Sequence, residues 1–301
     1  MKRYRIQHST TYTYDADVTG SYGSFHLRPR DLEWQRCLSH VIQIEPAPAD
    51  LFVHDDLYGN AKSYFHVTEP HQRLVVTAVS EVEVGRLELD PDRLALPWEQ
   101  ARPCEQVGDP EAWLASDFVH PSPYVEVPPG VEAYTRVSFT PGRPVGEAVV
   151  ELMHRVHEDF TYKFGSTSVS TTVSQLLELR SGVCQDFTHV MAAGLRSLGL
   201  AGRYVSGYLA TRPPPGRPRL VGADASHAWV GCWVPGAGWL YLDPTNDKVI
   251  DESHATVAYG RDYGDVPPVK GVIFTESATS SMKVSVDMAP VEPAGAEQHD
   301  R

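Results

Sequence analysis

The residues best suited to chemistry in this chain are a cysteine, a histidine and an aspartate that arrive in that order. They are Cys184 in SGVCQDFTHVMAAGLRSLGL, His227 in ASHAWVGCWV and Asp243 in GWLYLDPTND. A thiolate attacks an acyl carbon, a positioned imidazole stabilises that thiolate and then protonates the leaving amine, and a carboxylate fixes the imidazole's tautomer. Together the three types point to acyl transfer through a thioester. Taken singly, each has a plainer role. Cysteine is among the most buried residue types, a lone histidine is commonly a satisfied core residue, and Asp-Pro starts turns.

The elements around the three residues decide between these readings. After Cys184, the residues Phe187, Val190, Met191, Leu195 and Leu198 recur at helical spacing, and Gly199 supplies a stop signal. Cys184 thus falls in the first turn of a helix, where unpaired backbone N–H groups and the positive helix end favour thiolate over thiol. Its own N–H is available to an oxyanion. The segment HAWVGCWV and the run Trp239 to Leu242 read as two strands around the turn Pro235-Gly236-Ala237-Gly238. If they pair as a hairpin, His227 at the start of the first lies beside Asp243 at the end of the second.

At these residues the chain resembles the transglutaminase-like superfamily, in particular the bacterial branch whose members are provisionally described as cysteine proteases. The resemblance rests on three blocks: SGVCQDFTHVMAAGLRSLGLAGRYVSGY, DASHAWVGCWVPGAGW and YLDPTND. It assigns the family's nucleophile, imidazole and carboxylate to Cys184, His227 and Asp243, with no substitution at any of them. GRDYGDVPPVKGV is similar to a segment that closes this branch, and HSTTYTYDADVTGSYGSFHLRPR to its accessory N-terminal region. The implied fold is α+β, a papain-like core in which the Cys helix packs on an antiparallel sheet carrying His and Asp. Members include peptidases, deglycosylating amidases and amine-accepting crosslinkers, so the acceptor stays open.

Other polar residues compete for roles. Asp186 in the first helical turn suits the helix dipole. His189, five positions after Cys184 and so about 140° around the helix, reads as a packing histidine. Asp224 is the rival carboxylate for His227, but strand alternation puts it on the opposite face if the strand extends that far, and Asp243 is preferred. Tyr162 is a candidate oxyanion donor, and Trp229 a candidate to lean over the imidazole and exclude water. The proline-stiffened stretch Thr211 to Arg219 carries three arginines. It reads first as a surface loop and second as a cleft edge favouring acidic acyl groups.

Composition sets the outer bounds. The chain has 301 residues, 42% hydrophobic content and a net charge of −13, ample for a large core and unlike a phosphate-neutralising surface. Neither nucleic acid nor membrane is expected as a partner; a peptide or protein amide is, and the oligomeric state stays open. Cys37, Cys104, Cys184 and Cys232 are widely spaced with no C-x-x-C, so no zinc site is expected. The carboxylates lack EF-hand spacing, and no cofactor is expected. The first residues lack the apolar run of a secretory signal, which makes the cytoplasm the expected compartment. Four parts are expected: an antiparallel β-sandwich over 1–93, a Pro-rich linker with short helices over 94–143, the catalytic core over 144–290, and a disordered tail over 291–301. Three functions follow: a cysteine amidase or peptidase resolved by water, an amine-accepting transferase, and a non-catalytic scaffold, the last least favoured by an intact trio.

Overall fold

A computed structural model describes residues 1–211 and 226–291. Alternating and β-branched sequence dominates the first part, and it forms β1 (Lys2–Phe25), β2 (Gln35–Glu45), β3 (Asp50–Asp55), β4 (Ala61–Val67) and β5 (His71–Val84). Short helices α1 (Pro91–Leu94), α2 (Pro110–Ala115) and α3 (Val131–Arg136) follow, then α4 (Val145–Asp159), β6 (Thr161–Tyr162), α5 (Val173–Leu179), β7 (Ser181–Gly182) and α6 (Cys184–Ser197). The chain continues with β8 (Gly202–Leu209), β9 (Ser226–Val234), β10 (Gly238–Asp243), β11 (Lys248–Val249), β12 (His254–Gly260), β13 (Val269–Thr275) and β14 (Ser280–Pro290).

Two main sheets result. The strand-rich region expected as an antiparallel sandwich is antiparallel throughout and forms one seven-stranded sheet, ordered β2-β5-β1-β4-β3 with β13 and β14 also on β1. The length of β1 makes this possible. Its first half pairs with β5 and β14 and its second half with β4 and β13. The second sheet has the order β11-β10-β9-β8-β12. Helix α6 lies against it, with α3, α4 and α5 packed on the helix. The expected stripe of Phe187, Val190, Met191, Leu195 and Leu198 is buried, and so are Thr188, His189, Ala192 and Ala193. The stripe understates the burial because this helix is enclosed on more than one face, so its sequence carries less periodic contrast than a surface helix would.

Two expected boundaries change. The chain returns to the N-terminal sheet through β13 and β14, so the unit containing the Cys helix does not run on to residue 290. The stretch expected as a linker is part of the core. Trp98, Ala101, Val125, Val131 and Phe139 are buried in one cluster with Phe187, Leu195 and Val230. Arg196, in the last turn of α6, is buried and donates to Phe118 O at 3.1 Å and Ser122 Oγ at 3.1 Å. The many prolines break regular structure without preventing burial, which is why composition alone suggested a connector. No helix among the described residues is long and apolar enough to cross a membrane. The arginine-bearing loop from residue 212 onward, Asp224 and the tail from 292 lie outside the described residues.

Candidate active site

Local sequence places Cys184 at the head of α6. Thr172 caps α5 by accepting from Gln175 N, and Gln175 Oε1 accepts from Thr172 N, a reciprocal box that starts α5. Arg180 ends it in the left-handed conformation at φ 50°. The chain then pairs β7 with β6 and turns directly into α6. Asp186, one turn into α6, is buried and accepts from Val183 N at 2.8 Å and from Thr167 Oγ1 at 2.7 Å. It fixes the first helical turn, as expected of a structural carboxylate, and burial raises its pKa above the ordinary range. Gly182 leaves room for it, since a Cβ there would stand 2.7 Å from the Asp186 Cβ.

The hairpin places the other two residues. Strands β9 and β10 pair with Leu242 opposite Val230, so Asp243 falls across from Trp229 and diagonally from His227 on one face. His227 Nε2 lies 2.7 Å from Asp243 Oδ2. Because a carboxylate only accepts, Nε2 carries the proton and Nδ1 is the nitrogen left for Cys184. Burial pushes the His227 imidazolium down, but hydrogen bonds to Asp243 and Cys184 and the charge on each outweigh it and raise the pKa to about 10. Asp243 is fully buried. Burial would raise its pKa, yet hydrogen bonds from His227 and His254 hold it well below the usual carboxylate range.

Sequence reasoning missed the support around Asp243. His254 at the start of β12 is fully buried, with Nε2 3.3 Å from Asp243 Oδ2 and Nδ1 3.2 Å from Asp251 Oδ1. Asn246 Nδ2 donates to Asp243 Oδ2 at 2.7 Å, and the Thr245 and Asn246 N–H groups donate to Oδ1 at 3.0 and 3.2 Å. Five N–H donors thus converge on one carboxylate. The Asp-Pro-Thr-Asn turn gave a sequence signal for the backbone donors. His254 had none, because a separate strand brings it in.

The remaining candidates separate. Tyr162, more than half exposed, lines a cavity of about 320 Å³ together with Cys184, Gln185 and His227. Trp229 does lean toward the imidazole, with ring centroids 6.1 Å apart, but it is fully buried and also meets His254 edge-on at 5.3 Å. It backs the two histidines from inside the core and has no exposed surface of its own. Asp224 lies outside the described residues. His189 is a buried packing residue as expected, accepting from Tyr263 N at 3.3 Å. The cavity's far wall comes from the N-terminal sheet: Thr10 and Tyr12 of β1, and Met282 and Val284 of β14. Both halves of the chain therefore build the cleft.

Comparison with known proteins agrees with this architecture. Residues 4–83 match the family model of the bacterial transglutaminase-like N-terminal region, and residues 134–244 match that of the transglutaminase-like superfamily. An uncharacterized protein of Mycobacterium tuberculosis strain H37Rv is 47% identical over 299 residues, covering 96% of this chain and 93% of its own. A protein-glutamine gamma-glutamyltransferase of Pseudomonas aeruginosa is 39% identical over 101 residues, which cover 32% of this chain and 15% of that protein. The crystal structure of a protein from Cytophaga hutchinsonii, provisionally described as a cysteine protease, superposes with a TM-score of 0.75 at 19% identity, over 97% of this chain and 91% of that one. The chain belongs to the transglutaminase-like superfamily and carries the bacterial N-terminal region of that family.

Proposed function

We propose that the protein is a thiol-dependent hydrolase of amide bonds in peptides or proteins. In this reading Cys184 Sγ attacks the carbonyl carbon and forms a thioester, while the C–N bond breaks and the His227 imidazolium gives its proton to the departing amine. Water, deprotonated by the now neutral His227, then attacks the thioester carbon. The carboxylic acid leaves, and the thiolate and imidazolium are restored. Asp243 holds the His227 tautomer throughout, and Tyr162 stands in the cavity wall as a candidate donor to the oxyanion. The observation that carries the reading is His227, held 2.7 Å from a fully buried Asp243 and lining one cavity together with Cys184. Water is favoured as the acceptor because Cys184 is partly exposed and Tyr162 beside it is more than half exposed, so solvent has a direct path to the thioester.

An amine acceptor is the second reading, favoured by the name of the Pseudomonas relative over the 101 shared residues. One experiment tests both. The protein is incubated with glutamine-containing peptides and with other small amides, the acyl-enzyme is trapped by acid quench, and its release is compared with and without a primary amine. Release at the same rate in plain buffer supports hydrolysis, and release that requires the amine supports transfer. Absence of any adduct across the panel, or an adduct that survives Cys184→Ala, would end the thioester proposal.

A further inference from the structure

A second cavity, of about 640 Å³, shares no lining residue with the one at Cys184. Arg203 of β8 sits in its wall. The register pairs Arg203 with Gly231 and Gly207 with His227, so the two sites are four residues apart along the strands, about 13 Å at the usual rise. Val205, Trp229 and Tyr241 are buried together in the core of this sheet.

Arg203 is the arginine in this wall. Its guanidinium carbon lies 3.8 Å from the Trp239 ring centroid and 3.7 Å from that of Tyr259, so aromatic rings engage it. Among the described residues no carboxylate pairs with it, and Nε is buried with no hydrogen-bond partner. The Tyr259 hydroxyl, in the same cavity wall, is also buried and without a partner. Burial presses the Arg203 pKa down to about 9, the direction expected when desolvation of a cation goes uncompensated. A guanidinium whose Nε lacks a partner and a phenol O–H without one therefore stand in the wall of one space.

The rest of the lining is apolar and reaches the surface. Leu57, Trp113 and Leu114 are 86%, 76% and 63% exposed at the rim, and Phe118 and Trp239 lie further in. Large exposed apolar side chains gathered around a concave site mark a place where a ligand excludes water. Asp117, its Oδ2 accepting from Tyr58 OH at 2.6 Å, adds a carboxylate to the lining, which disfavours a dianion such as phosphate. A guanidinium held between rings presents its donors in its own plane, a fork that a carboxylate engages with both oxygens.

We propose that this cavity binds a small-molecule monocarboxylate carried on an aromatic or apolar body, with the carboxylate on Arg203 and the body against Trp113, Phe118 and Trp239. The assignment does not depend on the chemistry proposed at Cys184. It is tested by titration calorimetry of the full-length protein with 4-phenylbutyrate and with its uncharged amide, 4-phenylbutyramide. Charge-assisted hydrogen bonds give the acid at least about a tenfold advantage. Arg203→Met keeps the stem and much of the ring contact but has no fork, and should remove that advantage. Trp113→Ala, at an exposed position where folding is not at stake, should weaken the acid and the amide alike. Cys184→Ala should leave both affinities unchanged. Equal affinity for acid and amide, no saturable binding at millimolar concentration, or an acid preference that survives Arg203→Met would overturn the proposal. If Arg203→Met fails to fold, an acid binding isotherm unmoved by Trp113→Ala would overturn it as well.

Discussion

Asp243→Asn is the sharpest perturbation of the site because it removes one charge and almost no volume. The carboxylate receives five N–H donors: His227 Nε2, His254 Nε2 and Asn246 Nδ2 on Oδ2, and two backbone groups on Oδ1. An amide has one acceptor oxygen, so in either flip state its NH₂ faces at least two of those donors. Raising His227 from about 6.5 to about 10 corresponds to roughly 5 kcal/mol of preference for the protonated ring, supplied by Asp243 and Cys184 against the cost of burial. If Asp243 supplies about half of that, its loss slows acylation by roughly a hundredfold, and a misplaced tautomer slows it further. The assay is single-turnover acylation, with Cys184→Ala as the zero, alongside an NMR titration of the His227 ring. The variant should acylate measurably above that zero, and its His227 should titrate well below 10. A cooperative melt guards against a folding defect. Acylation within about threefold of the parent, or an unmoved His227 titration, would refute the idea that Asp243 tunes and orients the imidazole.

Two further outcomes concern the scaffold. A Cβ at Gly207 would clash with the Trp229 ring and with Ala255 O, so Gly207→Ala should cost about 1–3 kcal/mol in denaturant unfolding and lower acylation through the ring that backs His227 and His254; unchanged values for both would refute this packing role. The pH dependence of stability has two limbs of opposite sign. Burial lowers His8 to about 4 and His189 to about 3, below the unfolded value near 6.5. The unfolded chain therefore binds those protons first, and stability falls as pH drops below 6.5, by about 2 kcal/mol for each histidine at pH 5. His227, raised to about 10, contributes fully below 6.5 and loses its contribution as pH rises through 10. Chemical unfolding at pH 5, 7 and 10 checks both limbs, and a flat profile from 5 to 10 would contradict the burial argument.

The sequence by itself marked the main elements and named the candidate trio at the site. Period-3.6 apolar spacing placed α6, β-type sequence marked the strand-rich first part, and a turn between two β-branched runs placed the hairpin that joins His227 to Asp243. These are local signals, because side-chain periodicity and turn chemistry are set by a few neighbouring dihedrals. The family resemblance added the meeting of Cys184 with that hairpin. Tertiary structure decided what lies far apart in the chain. His254 reaches Asp243 from another strand, Met282 and Val284 return with β14 to wall the Cys184 cavity, and proline-rich segments expected as linkers supply core residues. Arg203 looks in sequence like any strand arginine, and only the packing of Trp239 and Tyr259 around it makes it a partly buried cation with no carboxylate partner among the described residues. Local periodicity records which face of an element is buried, but the partner it meets depends on how the sheets curl and close, and a single sequence carries no local signal for that.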